Sequence, residues 1–405
     1  MDILTRTADF TPSRHAALQR LTAFLPNAGS KYADKRNFDF GPDNRTNISA
    51  LSPHIRHRLI SEHEVCAAVL KTFAPSTAEK FIQEVFWRTY WKGWLEMRPA
   101  VWQRYNTELG EALAQVERNS GLRKTYERAI AGNSDNEAFD AWAQELVETG
   151  YLHNHARMWF ASIWIFTLRL PWQLGADFFY RHLMDGDPAS NTLSWRWVAG
   201  LQTRGKTYLA RASNIAEYTE GRFRVEGLAL VANPLEWDNP PSASPLNYRG
   251  LPSGRPNLLL VTEEDCNPEV QKGAIGFVTW QLSGERSILP VGEKVRAFAA
   301  GAMADVSNRL TKILPGHGAF EGADAVAEII ETAKTIGVAE IVTMHAPVGP
   351  TADALKLLEQ AAQPHGIELK CVVRQWDRLA WPSASRGFFN LKEHIPELLR
   401  LNQLL

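Results

Sequence analysis

The sequence predicts a fold in two parts, an all-helical part over residues 1–225 and a smaller, Rossmann-like α/β unit with a parallel sheet over residues 257–405. Three observations predict it. Helical periodicity dominates the first part, a proline-rich segment follows, and short apolar runs then alternate with helical stretches. A chain of 405 residues with 45% hydrophobic content is long enough for two domains with a large core.

The first part contains long stretches in which apolar residues recur at three- and four-residue spacing and proline is absent. Ala78–Leu95, Glu137–Glu148 and Ala156–Leu170 are the clearest of these stretches. Such spacing places the apolar side chains on one face of a helix. We therefore expect long helices here and few strands.

Residues 226–256 form the predicted linker, because they contain six prolines together with several Gly, Ser and Asn. These residue types end helices and favour turns. Ten of the 14 tryptophans precede this segment. The candidate chemistry is therefore concentrated in the helical part.

The second part alternates between two patterns. The short apolar runs predicted as strands are Asn257–Thr262, Ile275–Trp280, Glu340–Met344 and Glu368–Val373. The helical stretches between them are Glu293–Leu310, Ala323–Thr335 and Ala352–Ala362. This alternation is typical of parallel strands joined by crossover helices.

Hydropathy and charge limit the class of protein. The sequence has no apolar run of about 18 residues or more. Asp2, Arg6 and Asp9 lie where a signal peptide needs a basic start and an apolar centre, so we expect a cytoplasmic protein with no membrane partner.

The net charge divides into +4 over residues 1–225 and −5 over residues 226–405. The first part thus permits phosphate binding, whereas the second is a poor nucleic-acid binder.

The thiols and imidazoles do not indicate a metal site. Cys66, Cys266 and Cys371 are widely scattered, which argues against a disulfide framework and excludes an intrachain four-cysteine iron–sulfur cluster. His153 and His155 are two residues apart, which is not the helical spacing of metal ligands. No metal is predicted.

The segment from Tyr151 to Trp197 combines tryptophans with a few polar residues. Its tryptophans are Trp159, Trp164, Trp172, Trp195 and Trp197. Helices pack more readily with Leu and Ala than with indoles, so indoles beside carboxylates and amides suggest a redox path that leads to a buried heterocycle. A flavin fits this description.

Two polar groups in this segment are candidate cofactor contacts. Asp185-Gly186-Asp187 forms a turn that offers backbone N–H groups and carboxylates, and Asn154 and Arg157 enter a helix after a glycine. Such groups could contact a flavin ring, a ribose or a phosphate. The alternatives are a helix-capping turn and a surface ion pair.

A helix before this segment carries a third candidate group. Glu84, Trp87, Arg88 and Trp91 are spaced three or four residues apart and so share one face. That face combines a carboxylate, a cation and two indoles. The alternative is an ordinary amphipathic helix in which Glu84 and Arg88 form a solvated pair.

The fourth candidate is a hydroxyl-rich turn that follows Tyr32. Ser49 and Ser52 precede Pro53 at the predicted start of a helix. Backbone N–H groups and hydroxyls at a helix N-terminus bind phosphate. The alternative is a plain helix cap with proline in the first turn.

The order and spacing of these four groups resemble one family, the photolyase/cryptochrome flavoproteins, over residues 20–225. The family's T-S-x-L-S-P-Y turn is similar to I-S-A-L-S-P-H at 48–54, although Ile48 replaces the usual Thr. Its E-x-x-W-R-E-F-Y helix is similar to residues 84–91, and its G-W-x-H-N-R-x-R-M to residues 150–158. Its D-G-D-x-A-x-N-x-x-x-W-x-W is present at 185–197.

The resemblance implies a helical, photolyase-type domain that binds FAD. The residues that it assigns to the cofactor are Tyr32, Ile48, Ser49, Ala50, Leu51, Ser52, Phe81, Arg88, Asn154, Arg157, Asp185, Gly186, Asp187 and Asn191.

The resemblance also implies light-driven repair of damaged DNA. Reduced flavin, excited by blue or near-ultraviolet light, would donate an electron to a flipped-out pyrimidine dimer, whose cyclobutane ring splits before the electron returns. The implied lesion contacts are Glu84, Trp87, Arg88, Trp91, Asn154, His155, Met158 and Trp197. The implied catalytic residues are Glu84, Asn191 and the relay tryptophans Trp195 and Trp172, and the third relay position falls to Trp142 or Trp164 or is absent.

Two positions distinguish branches of the family. Members that repair (6-4) photoproducts carry histidines where this chain has Asn154 and Met158. Members that repair cyclobutane dimers carry Asn and Met. By this resemblance the chain is of the dimer-repair type.

The second part resembles the family's antenna domain in outline, but the order of the two domains is reversed. Leu258–Val261 followed by Asp265–Pro268 is similar to the first strand and turn of that domain. Whether it binds an antenna pigment stays open, and the alternative is a structural cap on the flavin domain.

Two other functions fit the same residues. A cryptochrome-like photoreceptor would use light to reduce the flavin and change a partner surface. A light-independent flavin reductase or flavin-binding protein would show no photochemistry.

Overall fold

The computed structural model describes residues 10–236, 240–248 and 250–405. The charged residues near the start, Asp2, Arg6 and Asp9, and residues 237–239 and 249 of the predicted linker lie outside the described residues.

The regular elements of the first part are all helical in its described residues. Its helices are α1 (Arg14–Phe24), α2 (Ser30–Lys35), α3 (Ser52–Arg56), α4 (Glu62–Thr72), α5 (Pro75–Glu96), α6 (Pro99–Arg118), α7 (Ser120–Ile130), α8 (Glu137–Thr149), α9 (Asn154–Ser162), α10 (Trp172–His182), α11 (Pro188–Val198) and α12 (Ala212–Tyr218). A 3-10 turn at Leu25–Asn27 joins α1 to α2.

Helix α5 is the central helix of this part. It is 22 residues long and begins with Pro75, whose missing N–H costs nothing in the first turn of a helix. It packs against α2, α4 and α11 on some sides and against elements from the second part on others. The predicted helices at 78–95 and 137–148 are confirmed as most of α5 and of α8.

The predicted helix at 156–170 is wrong in its second half. Helix α9 ends at Ser162, and the chain continues as a π-helical turn over Ile163–Thr167. A π turn inserts an extra residue into a helix. The 3.6-residue pattern of the sequence does not reveal such an insertion.

The second part is a doubly wound α/β unit. Its strands are β1 (Asn257–Thr262), β2 (Ala274–Gln281), β3 (Gly316–Glu321), β4 (Glu340–Met344) and β5 (Glu368–Val372). Its helices are α13 (Glu293–Leu310), α14 (Val326–Thr335), α15 (Pro350–Ala362), α16 (Gln375–Ala380) and α17 (Phe388–Leu401). Short 3-10 turns lie at Ser283–Arg286, Ala323–Ala325, Gln363–His365 and Trp381–Ser385.

The five strands form one parallel sheet in the order β3-β2-β1-β4-β5. The predicted strands are confirmed as β1, β2, β4 and β5. Strand β3 was not predicted, because its sequence contains two glycines and most of its residues are exposed. The strand order reverses between β1 and β4, which makes the carboxyl ends of these two strands the topological switch point.

Alternate residues of β1 belong to different cores. Leu258 and Leu260 face α14 and α15 in a core that is confined to the α/β unit. Leu259 and Val261 face the other way and join a core that continues into the helical part. The two parts therefore share a hydrophobic core on one side of the sheet, and the α/β unit has a second core of its own on the other.

Part of the described segment between α12 and β1 lies along the helical part. Arg98 donates to the Pro241 carbonyl, and the Ser244 N–H donates to the Met97 carbonyl. No helix in the described ranges is both long enough and apolar enough to cross a membrane.

Candidate functional site

A cavity of about 490 Å³ opens in the helical part, between α2, α3, α5, α9 and α11. This volume is in the usual range for ligand pockets. Every residue that the sequence assigned to a site lines the cavity, except Trp172 and His155. These lining residues are Tyr32, Ile48, Ser49, Ala50, Leu51, Ser52, Phe81, Glu84, Trp87, Arg88, Trp91, Asn154, Arg157, Met158, Asp185, Gly186, Asp187, Asn191, Trp195 and Trp197.

The inner end of the cavity holds two buried carboxylates, each paired with an arginine. Asp185 accepts from Arg157 Nη2 at 2.9 Å and from Ser52 Oγ at 2.5 Å. Asp187 accepts from Arg88 Nη1 at 2.5 Å, and its other oxygen caps α11 through the Ser190 N–H. These bonds fix the turn between the two carboxylates.

The two carboxylates are ionised. Burial alone would raise the pKa of Asp185, but Arg157, Arg88 and the Ser52 hydrogen bond together hold it below its ordinary value. Burial likewise acts against Asp187, whose pKa is held low by Arg88, Lys92 and Arg56. The inner end is therefore a set of charged groups that compensate one another.

Several polar atoms of the cavity wall are buried and, within the described part of the chain, lack a hydrogen-bond partner. They are Asp185 Oδ1, Ser190 Oγ and Trp195 Nε1. Buried polar atoms are nearly always paired in folded proteins. One acceptor, one hydroxyl and one N–H donor in a single cavity therefore fit a ligand that carries both donors and acceptors, as a flavin with its ribityl chain does.

The hydroxyl-rich turn before α3 forms another wall. Ala50 has a φ of 48°, which is in the left-handed region that side chains other than glycine rarely adopt. The Ser52 hydroxyl donates its hydrogen to Asp185. Ser49 Oγ accepts from the Leu51 N–H, and its own hydrogen has no acceptor among the described residues. Strained backbone of this kind is concentrated at ligand sites.

The outer end of the cavity is more apolar and opens to solvent. Trp87, Met158 and Trp197 are partly exposed there. Glu84 lies among them with 40% of its side chain accessible, and its Oε1 is 3.8 Å from Arg36 Nε. The cavity walls reduce hydration of this carboxyl and raise its pKa, and the nearby Arg36 and Lys80 act against this rise.

The position of Trp87 depends on the second part of the chain. Its ring stacks on Phe388, the first residue of α17, with centroids 3.6 Å apart and an interplanar angle of 10°. Phe388 also meets the edge of Tyr90. Nothing in the sequence near Trp87 could indicate this contact, because Phe388 lies far along the chain.

Asn191 has a fixed orientation. Its Nδ2 donates to the Ala176 carbonyl at 2.7 Å. The amide is thereby oriented so that its Oδ1 is the atom left to accept a hydrogen bond in the cavity.

His155 lies behind the cavity wall. Its Nδ1 is 2.9 Å from the Asn37 carbonyl, so this nitrogen donates, and its Nε2 is 3.1 Å from Tyr208 Oη. Burial lowers its pKa, which favours the neutral ring. Tyr208 in turn stacks on Trp197 at 5.8 Å, so His155 supports a lining residue indirectly.

The relay order from Trp195 to Trp172 stays a prediction, and the structure describes the ring contacts of both residues. Trp195 meets Trp164 edge to face at 6.1 Å, and Gly175 permits this, because a Cβ there would come within 3 Å of both rings. Trp172 lies outside the cavity, with its ring 5.6 Å from Tyr105. Trp142 stacks on Trp159 instead.

Twelve residues that line the cavity were not predicted as site residues from the sequence. They are Arg36, Asn37, Ile55, Val85, Tyr151, His153, Ala161, Phe179, Leu183, Ser190, Ser194 and Val198. Three of them could have been found, because Ser190, Ser194 and Val198 share the helical face of Asn191 and Trp195. Arg36 and Phe179 reach the cavity only through tertiary packing.

The chain is similar to known proteins over about half of its length. Residues 81–221 match the family model described as the FAD binding domain of DNA photolyase. A deoxyribodipyrimidine photo-lyase of Agrobacterium fabrum is 30% identical over 194 residues, which are 47% of this chain and 39% of the relative. The corresponding protein of Thermus thermophilus is 31% identical over 197 residues, 49% of this chain and 45% of the relative.

Two solved structures also resemble part of this chain. A bacterial class III photolyase from Agrobacterium tumefaciens is 26% identical, with a TM-score of 0.43, over 54% of this chain and 45% of that one. A Synechocystis cryptochrome is 22% identical, with a TM-score of 0.42, over 51% and 43%. This chain thus spans less than half the length of the relatives named here. Residues 81–221 of this chain are thus similar to the FAD binding domain of DNA photolyase, and the chain resembles deoxyribodipyrimidine photo-lyases over about half of its length.

Proposed function

We propose that this protein binds FAD and uses light to split cyclobutane pyrimidine dimers in DNA. The observation that supports this best is the division of the cavity into two chemically different ends. The inner end has ion pairs and unpartnered polar atoms, and the outer end has partly exposed indoles around a carboxyl. A cofactor and a base lesion need these two environments side by side.

The inner end would hold the cofactor. Asp185 Oδ1 and Asn191 Oδ1 would accept from ring N–H or ribityl hydroxyl groups, and Trp195 Nε1 and Ser190 Oγ would donate. Ser49, whose hydroxyl hydrogen has no acceptor among the described residues, would donate to the diphosphate beside the strained turn at Ala50. Reduced FAD, when bound here and excited by light, supplies the electron for the reaction.

The outer end would hold the extruded dimer. Flipping a damaged base pair out of the helix costs less than flipping an intact one, because stacking and pairing are already weakened. Trp87 and Trp197 would stack on the bases, and Met158 would fill the space between them. Phe388 behind Trp87 and Tyr208 behind Trp197 hold the two indoles in place.

Glu84 would act on the dimer itself. Its pKa is raised, so its carboxyl carries a proton over a wider pH range than a free glutamate does. A protonated carboxyl can donate a hydrogen bond to a carbonyl oxygen of the dimer, where negative charge develops. Arg36, 3.8 Å from the same carboxyl, adds a positive charge at this end.

A cryptochrome-like photoreceptor is the second candidate. The net charge of −1 favours it, because proteins that bind DNA through phosphate contacts usually carry excess positive charge. It would use the same inner end. The two functions differ only in whether the outer end processes a dimer.

The test is repair by the purified protein of an oligonucleotide with one cyclobutane thymine dimer, under reducing conditions with and without illumination. We expect a bound flavin spectrum and light-dependent loss of the dimer. Glu84→Ala should keep flavin and slow repair by about tenfold or more, the effect of losing a hydrogen bond to a charged group.

Glu79→Ala is the matched control, because Glu79 lies on the same helix but pairs with Lys392 and Gln83 outside the cavity. It should repair at the wild-type rate. A photoreducible flavin without repair would favour the photoreceptor, and a protein that binds no flavin would contradict both functions.

A further inference from the structure

The α/β unit touches the turn Asp185–Asp187 from behind. We infer that Glu264 is a positioning residue for FAD and that it acts on this turn through Arg56. Glu264 is the second residue after β1. The inference rests on the proposed function, since it assigns Glu264 to the same FAD site. It gives the α/β unit a role in cofactor binding that does not require a ligand of its own.

The contact runs through three groups in series. Glu264 accepts from Arg56 Nη1 at 2.6 Å and from Nη2 at 2.7 Å. The third nitrogen of the guanidinium, Nε, donates to the Gly186 carbonyl at 2.9 Å. All of these groups are buried. Because a guanidinium is planar and rigid, a bidentate carboxylate on one edge fixes the direction of the Nε–H bond on the other.

Arg56 also stands close to the charges of the cavity. It is one of the cations that hold the pKa of Asp187 low. If Glu264 lost its charge, Arg56 would be attracted to Asp187, which already pairs with Arg88. The carboxylate of Glu264 therefore keeps Arg56 on the backbone of the turn and out of competition with Arg88.

Other residues of the α/β unit contact the chain on both sides of this turn, at Leu183 and Pro188. Arg286 Nη1 donates to the Leu183 carbonyl at 3.3 Å. Gly349 lies against Pro188, and a Cβ at position 349 would come within 2.5 Å of the Pro188 ring. Thr351 Oγ1 donates to Glu264 Oε1 at 3.3 Å and so helps to orient it.

The place of Glu264 in the sheet strengthens the inference. Open α/β sheets bind their ligands at the switch point, beyond the carboxyl ends of the strands. Here that edge is filled by the helical part. The His57 ring is 2.8 Å from the Glu263 carbonyl, and Glu96 accepts from the Val348 N–H and lies 3.1 Å from His345 Nε2. The occupant of this crevice is protein, and its contact reaches the FAD turn.

The competing explanation is that Glu264 only helps the two parts to pack. The chain offers a control for this, because Arg58 and Asp377 form a second buried ion pair across the same interface at 2.5 Å. Neither residue lines the cavity. Loss of packing would affect both pairs alike, whereas loss of positioning would affect only the Glu264 pair.

The experiment compares Glu264→Gln with Asp377→Asn in the full chain. FAD is removed and titrated back, its dissociation constant is measured by flavin fluorescence, and urea unfolding of the FAD-free proteins is measured in parallel. We expect Glu264→Gln to raise the dissociation constant about tenfold or more, equal to about 1.4 kcal/mol. Asp377→Asn should stay within about threefold of wild type.

A second variant separates positioning from stability. Arg56→Met combined with Glu264→Leu replaces the buried pair by apolar side chains, which often restores stability. We expect its unfolding midpoint to return to near the wild-type value. Its FAD affinity should stay about tenfold weaker than that of the wild type, because no donor reaches the Gly186 carbonyl.

Equal FAD affinities for Glu264→Gln and Asp377→Asn, or recovery of affinity along with stability in the double variant, would overturn the inference and leave the proposed function intact. A wild-type protein without measurable FAD affinity would overturn the proposed function, and the inference with it.

Discussion

At the scale of single residues, the protonation state of Glu84 should determine how the repair rate depends on pH. Its pKa is raised above the ordinary value of 4.5, chiefly by loss of hydration. A group of this kind contributes stability below its unfolded pKa and loses that contribution as the pH rises through its folded pKa. The protonated form, which can donate a hydrogen bond to a dimer, is lost as the pH rises through this folded pKa.

We therefore expect the single-turnover repair rate to fall as the pH rises through the raised pKa of Glu84. Glu84→Gln keeps a donor at all pH values, so its rate should be independent of pH over this range. The measurement is dimer loss after a single light pulse between pH 5 and 8. A fall of the same steepness in Glu84→Gln would assign the dependence to another group.

Most residues of the candidate cavity could be assigned from the sequence, because its walls are built from short local motifs. Asp185, Asp187 and Asn191 belong to one capped helix start, and Glu84 and Arg88 belong to one helical face. Phe388 and Arg36 could not be assigned in this way. The place of Phe388 behind Trp87 and of Arg36 in the cavity wall depends on how distant elements pack, which no local pattern encodes.

At the scale of elements, the strands were predictable where burial on both faces produces a continuous apolar run. Residues 257–262 and 340–344 are buried throughout, and their predicted bounds match β1 and β4. Strand β3 is an edge strand that pairs only with β2 and is mostly exposed. Its backbone hydrogen bonds, rather than its side chains, make it a strand.

Helix α17 should influence the outer end of the cavity, although it belongs to the second part. Phe388→Leu keeps an apolar side chain and should cost less than about 1.5 kcal/mol in unfolding free energy. It removes the flat surface against Trp87, and a stacked aromatic pair contributes about 0.5–1.5 kcal/mol. We expect dimer-containing DNA to bind about two- to tenfold more weakly, as measured by fluorescence anisotropy in the dark.

The control for this variant is Phe298→Leu. Phe298 is buried on α13 against the His57 ring, away from the cavity. This change should lower stability to a similar extent and leave DNA affinity unchanged. Equal losses of affinity in both variants would mean that the effect comes from general destabilisation.

At the scale of the whole molecule, the shared core predicts one cooperative unit. Leu259 and Val261 of β1 lie in the same core as the helical part. Buried ion pairs from Arg56 and Arg58 cross the same boundary. Separating the two parts would expose this core and leave buried charges without partners, which is strongly unfavourable.

We therefore expect the central amides of α5 and β1 to exchange with solvent deuterium through the same global opening. Their opening free energies, measured by native-state hydrogen exchange, should agree within about 1 kcal/mol. Asp377→Asn should lower both together. Exchange of the β1 amides at a free energy several kcal/mol below those of α5 would mean that the parts unfold independently.

The Arg56–Glu264 pair has a consequence for how the protein is made. Its partners are 208 residues apart, and Trp376 and Thr89, which also bond across the boundary, are 287 apart. At about 5–20 residues per second, a ribosome needs about 10–40 s to travel from Arg56 to Glu264. The turn at Asp185–Asp187 is translated within this interval, and it has no brace behind it until Glu264 follows. If Glu264 positions FAD as inferred above, we expect cofactor loading to be completed only after β1 and Glu264 have been translated.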